Sequence, residues 1–305
     1  MKKKNGRSDD KEKLIEERLK LKTGHGENTQ LPSHLSPSAK DRLAALEAEL
    51  ETDPKSDRPS ISEAPKHESN HKMFWTILIV TVILSKLPFS ELIFTPLNQF
   101  AIMVHEMSHA VMCILTGGHV SGMTIVPDGQ GHGGLTFCHG GIPFISVQAG
   151  YLGTAIVGAI LIFLGQYKHL ARPTLIALGI FTILGAFIFM GAGLFSTMAL
   201  PILMSMVWAG LLAFLTIVAG LKLDEKKANL VLLFLAVHTA MDSLRSIALV
   251  MGASVFPSGV YSDATVMQRD YLLPAVFWSL SWALFSLALM AITIWFCFFR
   301  KRKSA

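Results

Sequence analysis

Three residues whose types and spacing could do chemistry stand together: His105, Glu106 and His109, inside the stretch Asn98 to Gly118 (NQFAIMVHEMSHAVMCILTGG). On a helix, residues four apart share a face, so the two imidazoles stack where both can reach one metal ion. Glu106 follows the first histidine and reaches a metal-held water without being a ligand. This is the His-Glu-x-x-His pattern: the metal acidifies a water, and the glutamate takes its proton as the water attacks a peptide carbonyl. The alternative is a polar patch in a helix bundle, its histidines bonded to neighbouring carbonyls. The setting weighs against that, because the stretch is about one bilayer thickness long when helical. Ionisable groups at membrane depth are costly and mark function.

A catalytic zinc site takes three protein ligands and keeps one open position. Three aspartates compete for the third place. Asp242 lies inside an apolar span (AVHTAMDSLRSIALV), with His238 four residues before it and Arg245 three after it. Its bland reading is an Asp242–Arg245 pair. Asp263, in YSDATVMQRDYLLPAVFW, precedes the last apolar span and could fold back over the histidines; otherwise it is a helix cap or loop acid. Asp128 reads as the turn residue of Pro127-Asp128-Gly129.

The elements that must position these residues divide the chain sharply. Residues 1–72 hold 15 of the 27 Lys+Arg and 14 of the 22 Asp+Glu. They read as a polar, mostly disordered cytoplasmic tail with two short helical patches, about Asp10–Lys22 and a second ending near Glu51. Residues 73–300 read as the membrane-embedded domain and 301–305 as a basic C-terminal tail. The formal charge of +5 owes much to Arg300-Lys301-Arg302-Lys303 beside the last span, and is no sign of nucleic-acid binding. Cys113, Cys138 and Cys297 are scattered and suggest neither a disulfide framework nor a Cys-x-x-Cys metal site.

Apolar spans are expected at Met73–Phe94, Asn98–Gly118, Ile142–Gly165, Leu175–Met190, Pro201–Leu221, Asn229–Val250 and Tyr271–Phe299. Between Gly117 and Gly141 the chain is Gly-rich, with β-prone pieces Val120–Val126 and Gly134–Cys138 that predict a hairpin. His132 and His139 in this loop read as surface histidines. Gly150-Tyr151-Leu152-Gly153, with Gly158, reads as a small-residue face for helix packing. Basic residues at Lys168/Arg172 and Lys222/Lys226/Lys227 put those loops and both termini in the cytoplasm. With that orientation the first two spans cannot both cross, so one element of residues 73–141 is expected to be re-entrant. The fold expected is an all-α multi-span membrane protein of about six to seven membrane segments, with a small β-hairpin or re-entrant loop after the motif helix.

His105-Glu106-x-x-His109-Ala110, Thr116-Gly117-Gly118, the Gly-rich β-like loop and Gly150-Tyr151-Leu152-Gly153 together resemble the site-2-protease-type zinc metallopeptidases. The likeness is to their small bacterial and fungal branch, related to the sporulation factor peptidase, and covers roughly residues 95–298. It implies an intramembrane zinc endopeptidase with His105 and His109 as ligands and Glu106 as general base. Ser262-Asp263-Ala264, Pro274 and Trp278 match a pattern of that branch, which favours Asp263 as third ligand. Membrane placement favours Asp242. The Asn-Pro…Asp-Gly motif of better-known members is absent from the later spans.

The function expected is cleavage of a membrane-protein substrate in the lipid bilayer, with Zn²⁺ as cofactor. Two readings of other classes stand beside it. One is a catalytically silent scaffold or chaperone of the same fold, which has no need of a base at Glu106. The other is a metal transporter, which needs ionisable residues spread through several spans. Apart from His238, Asp242 and Arg245, the later spans are nearly bare.

Overall fold

The structure is a computed structural model that describes residues 71–126, 133–255 and 262–299. The polar tail with its two expected helical patches, Asp128, His132 and the C-terminal basic residues lie outside the described residues.

Helix α1 (His71–Leu84) is apolar but only 14 residues long, about 21 Å at 1.5 Å per residue. The expected single span over Met73–Phe94 is therefore broken. Pro88 lacks an N–H and disfavours helix at the residue before it. Phe89 then takes a left-handed conformation (φ 68°), and α2 begins at Ser90. Helix α2 (Ser90–Leu115) carries the His-Glu-x-x-His motif. It ends at Gly117 (φ 88°), a conformation easy only for glycine, and the N–H of Gly118 closes the helix on Cys113 O at 2.8 Å.

Strands β1 (His119–Thr124) and β2 (Leu135–His139) pair antiparallel, from His119 opposite His139 to Thr124 opposite Leu135, with an irregularity between Val120 and Gly122. The expected hairpin is present, each strand within about two residues of its predicted bounds. A short α3 (Pro143–Ser146) leads into α4 (Ala149–Leu164). Helix α5 (Lys168–Gly185) continues through a π turn and a 3₁₀ turn to Gly193. Then come α6 (Ala199–Lys222), α7 (Glu225–Val255), the short α8 (Asp263–Tyr271) and α9 (Ala275–Ile294), which a π turn extends to Phe299.

Among the described residues four helices are long and apolar enough to cross a membrane: Lys168–Gly193, Ala199–Lys222, Glu225–Gly252 and Ala275–Phe299. Helices α1 and α4 are apolar but shorter. Helix α2 has the length, but Asn98, Gln99 and the motif itself make it too polar to join the four. Helix α7 is the central one: 56% of its apolar window is buried, against 11% for α9. Leu232, Leu233 and Ala236 of α7 are fully buried in a core shared with Phe74, Phe100, Val104 and Leu161. A second core joins Met103 and Met107 of α2 to Met123 of β1, Met190 and Ile202. The motif helix is thus packed against both the helix bundle and the hairpin.

Candidate metal centre

His105 Nε2 and His109 Nε2 lie 3.0 Å apart on the shared face of α2. The tautomer of His109 follows from its other nitrogen, because Nδ1–H donates to the backbone carbonyl of Ser146 at 2.7 Å. A backbone carbonyl can only accept, so Nδ1 carries a proton, and in the neutral ring Nε2 keeps its lone pair. Asp263 Oδ2 sits 3.4 Å from His105 Nε2 and 3.3 Å from His109 Nε2. Burial by itself would raise the Asp263 carboxyl, but the two imidazoles hold it well below the usual carboxylate range.

The three atoms suit a zinc ion. Bonds of about 2.0–2.2 Å in a tetrahedral site put ligand atoms about 3.3–3.6 Å apart; Asp263 Oδ2 lies 3.3 and 3.4 Å from the two imidazole nitrogens, which are somewhat closer to one another at 3.0 Å. The donor set, two imidazole nitrogens and one carboxylate oxygen, is also the kind zinc accepts in catalytic sites. Among the described residues this is the one group of three or more His, Cys, Asp or Glu side chains that could hold a metal ion.

Each member is placed by identifiable local chemistry. Asp263 opens α8, where Ser262 caps the helix. Thr265 N–H donates to Ser262 Oγ, and Ser262 N–H donates to Thr265 Oγ1 at 2.9 Å. Ala264 and Met267 are buried against Tyr151, Trp278 and Trp282, which fixes α8 to α4 and α9. Ala275 N–H donates to Gln268 Oε1 at 2.8 Å and ties the start of α9 to α8. The Tyr151 ring meets the His105 ring edge to face at 4.6 Å and stacks on Trp282 at 5.0 Å. His105, His109 and Asp263 open on a cavity of about 900 Å³, which Glu106, Asn98, Thr136 and Asp242 also line.

The sequence profile described as Peptidase M50B-like matches residues 74–293. The chain belongs to that family. It is a membrane protein and a zinc metallopeptidase of the site-2 protease type. No curated protein and no solved structure matches the chain.

In this M50B-like peptidase Glu106 is buried, and its carboxylate accepts a 2.6 Å hydrogen bond from Thr136 Oγ1 on β2. Asp242 lines the cavity but stands outside the three-residue group; its Oδ2 accepts from Ser246 Oγ at 3.3 Å. The alternative reading, an Asp242–Arg245 pair, is not the arrangement observed. Arg245 reaches Glu91 of α2 at 3.2 Å, and His238 Nε2–H donates to Asn98 Oδ1 at 2.8 Å. Both partners come from α2, so spacing along α7 could not reveal them. His139 is exposed and bonded to Ser121 Oγ at 2.8 Å, as a surface histidine would be.

Two readings are corrected. Cys113 and Cys138 are bonded to one another, with Cα atoms 6.0 Å apart. They looked scattered because 25 residues separate them; the return of β2 across the end of α2 brings them together. Gly150 does more than let helices pack. A Cβ there would strike Nε2 of both His105 and His109, so its missing side chain gives the two imidazoles their room. In the sequence Gly150 and Tyr151 stand out only as part of a packing face and a family pattern, and Thr136 does not stand out at all; none is placed there beside the motif. The small-residue face around Gly150 is visible in the sequence, but the helix it would face is not.

Proposed function

We propose that this chain is an intramembrane zinc metalloendopeptidase in which His105, His109 and Asp263 hold the metal and Glu106 is the general base. The observation that carries the reading is the triangle of lone-pair atoms, 3.0, 3.3 and 3.4 Å on its edges, beside a buried glutamate. Asp263 is preferred to Asp242 because its oxygen faces both imidazoles, whereas Asp242 is turned to Ser246.

A bound zinc ion would supply Lewis acidity, polarising the scissile carbonyl and bringing the pKa of a water near neutrality. The remaining work belongs to the chain. Ser146 O, by accepting from His109 Nδ1, holds that ring with Nε2 toward the site. Tyr151 and Trp282 wall the His105 side. The Glu106 carboxylate accepts a proton from the attacking water and returns it to the leaving amine nitrogen, so that one peptide and one water become a carboxylic acid and an amine. The substrate is a membrane protein. An intact helix shields its own carbonyls, so the segment to be cut must first unwind.

The membrane path that fits best has six crossing segments. With the N-terminus inside, α1 and α2 together carry the chain to the far side, and α4, α5, α6, α7 and α9 then cross alternately. The re-entrant element is the hairpin, which folds back along α2. Ring contact between His71 and Phe298, centroids 5.2 Å apart, supports both termini of the described domain lying at one face. Arg172 donates to Gly220 O at 3.0 Å, which supports the basic loops sharing a face. The Cys113–Cys138 bond favours an oxidising, non-cytoplasmic side for the hairpin. That agrees with the orientation from charge bias.

The test is Glu106→Gln, which keeps size but cannot accept a proton. Loss of a general base lowers rate about 10²–10⁴-fold. Membrane proteins from cells carrying wild type or Glu106→Gln are compared by mass spectrometry for products cut in apolar segments. The variant should keep zinc and expression yet lose those products. Identical products would remove the mechanism. A cellular phenotype that survives Glu106→Gln but not deletion of the gene would favour a silent scaffold.

A further inference from the structure

The Glu106 carboxylate is seated by one face of β2. Side chains along a strand alternate, so positions 134, 136 and 138 point the same way, and all three meet α2. A Cβ on Gly134 would lie 2.8 Å from Glu106 Oε1 and 2.9 Å from its Cγ. Thr136 Oγ1 donates to Glu106 Oε2 at 2.6 Å. Cys138 is bonded to Cys113, two helical turns further along α2. The strand is thus pinned across the motif helix at both ends of this face.

The Thr136 hydroxyl has one proton and two acceptors within reach: Glu106 Oε2 at 2.6 Å and the Glu106 backbone oxygen at 3.1 Å. A charged acceptor gives the shorter and stronger bond, so the carboxylate takes the proton. No other side chain among the described residues donates to this carboxylate. Oε2 is therefore committed, and Oε1 faces the place where Gly134 has no side chain. We infer that Thr136 is a positioning residue for proton transfer: its hydroxyl fixes Oε2 and leaves Oε1 as the oxygen that accepts the proton of the attacking water. Gly134 keeps the space beside Oε1 clear. This inference rests on the hydrolytic reading above.

The test sets two substitutions against one another. Thr136→Val keeps the methyl group, shape and strand preference and loses the hydroxyl. Thr136→Ser keeps the hydroxyl and loses the methyl. Purified zinc-loaded proteins are assayed with fluorescein-labelled casein, an unstructured chain with open carbonyls. A misdirected catalytic group lowers rate about 10–100-fold. Thr136→Val should show a fall of that size in kcat with KM and zinc content unchanged, and Thr136→Ser should stay close to wild type. A role in packing alone predicts the reverse order and overturns the inference, as does loss of zinc in Thr136→Val. Infrared difference spectra read the same bond without a substrate. Wild type minus Thr136→Val should give a carboxylate stretching band that vanishes when both proteins also carry Glu106→Gln. A band that persists there, or no band, overturns the inference. Full cleavage by Glu106→Gln would overturn the hydrolytic reading itself. A dead Glu106→Gln beside a wild-type Thr136→Val would overturn the positioning role alone.

Discussion

Replacing Gly150 by alanine puts one methyl group against the Nε2 edge of His105 and His109, the edge proposed to hold zinc. The added Cβ would lie 2.5 Å from His105 Cε1 and closer still to Nε2 of each ring. Carbon atoms in contact normally sit about 3.5–4.0 Å apart, so a ring or the start of α4 must move by about 1 Å. Metal–ligand bonds tolerate about 0.2 Å. Moving one imidazole that far leaves the proposed zinc with two good ligands. Loss of a supporting neighbour alone typically costs 10–100-fold in metal affinity, so displacing a ligand should weaken zinc by at least about 100-fold. The matched control is Gly158→Ala on the same helix, whose Cβ would have its nearest contacts with Ala240 of α7, at 3.1 Å or more. It should lower stability by about 1–3 kcal/mol, the usual range for overpacking, and leave zinc affinity alone. Both are measured on detergent-purified protein by competition with a chelator of known affinity, with zinc counted by mass spectrometry. Wild-type zinc affinity in Gly150→Ala would refute the close approach of α4 to the imidazoles.

Two further outcomes are expected. Peptide mapping without reductant should recover Cys113 linked to Cys138, and Cys113→Ser should lower the thermal midpoint by an amount equivalent to about 2–4 kcal/mol; free thiols at both positions would refute the link. Membrane-impermeant thiol reagents should label a cysteine placed at Gly259 only from the non-cytoplasmic side and one placed at Lys226 only from the cytoplasm, and the opposite pattern would invert the orientation drawn from the basic loops.

What could be read in the sequence was what is local. His105, Glu106 and His109 lie within five residues, and helix spacing alone puts the two imidazoles on one face. The apolar helices were legible for the same reason, since each carries its own composition. Pro88 signalled a weakness in the first span, but not that Phe89 would break it into two helices. The hairpin was legible from its Gly-rich turn and β-prone flanks. What was not legible depends on elements meeting across long separations. Asp263 is 154 residues from His109, and only the folding of α8 onto Tyr151 and Trp282 brings its carboxylate beside the two imidazoles. Ala264 and Trp278, which entered only through a family pattern, have a physical role in that docking. Glu91 captures Arg245 from another helix, and Thr136 reaches Glu106 only in this hairpin register.

The central claim is that one zinc ion sits between His105, His109 and Asp263. Zinc K-edge X-ray absorption on the purified protein tests it most directly, with Asp263→Asn and Asp242→Asn measured beside wild type. The account predicts about one zinc per chain with two imidazole nitrogens and carboxylate oxygen at about 2.0–2.2 Å. It further predicts that Asp263→Asn weakens binding and alters the oxygen shell while Asp242→Asn leaves both unchanged. Zinc equally bound in all three proteins, or lost only in Asp242→Asn, would contradict it.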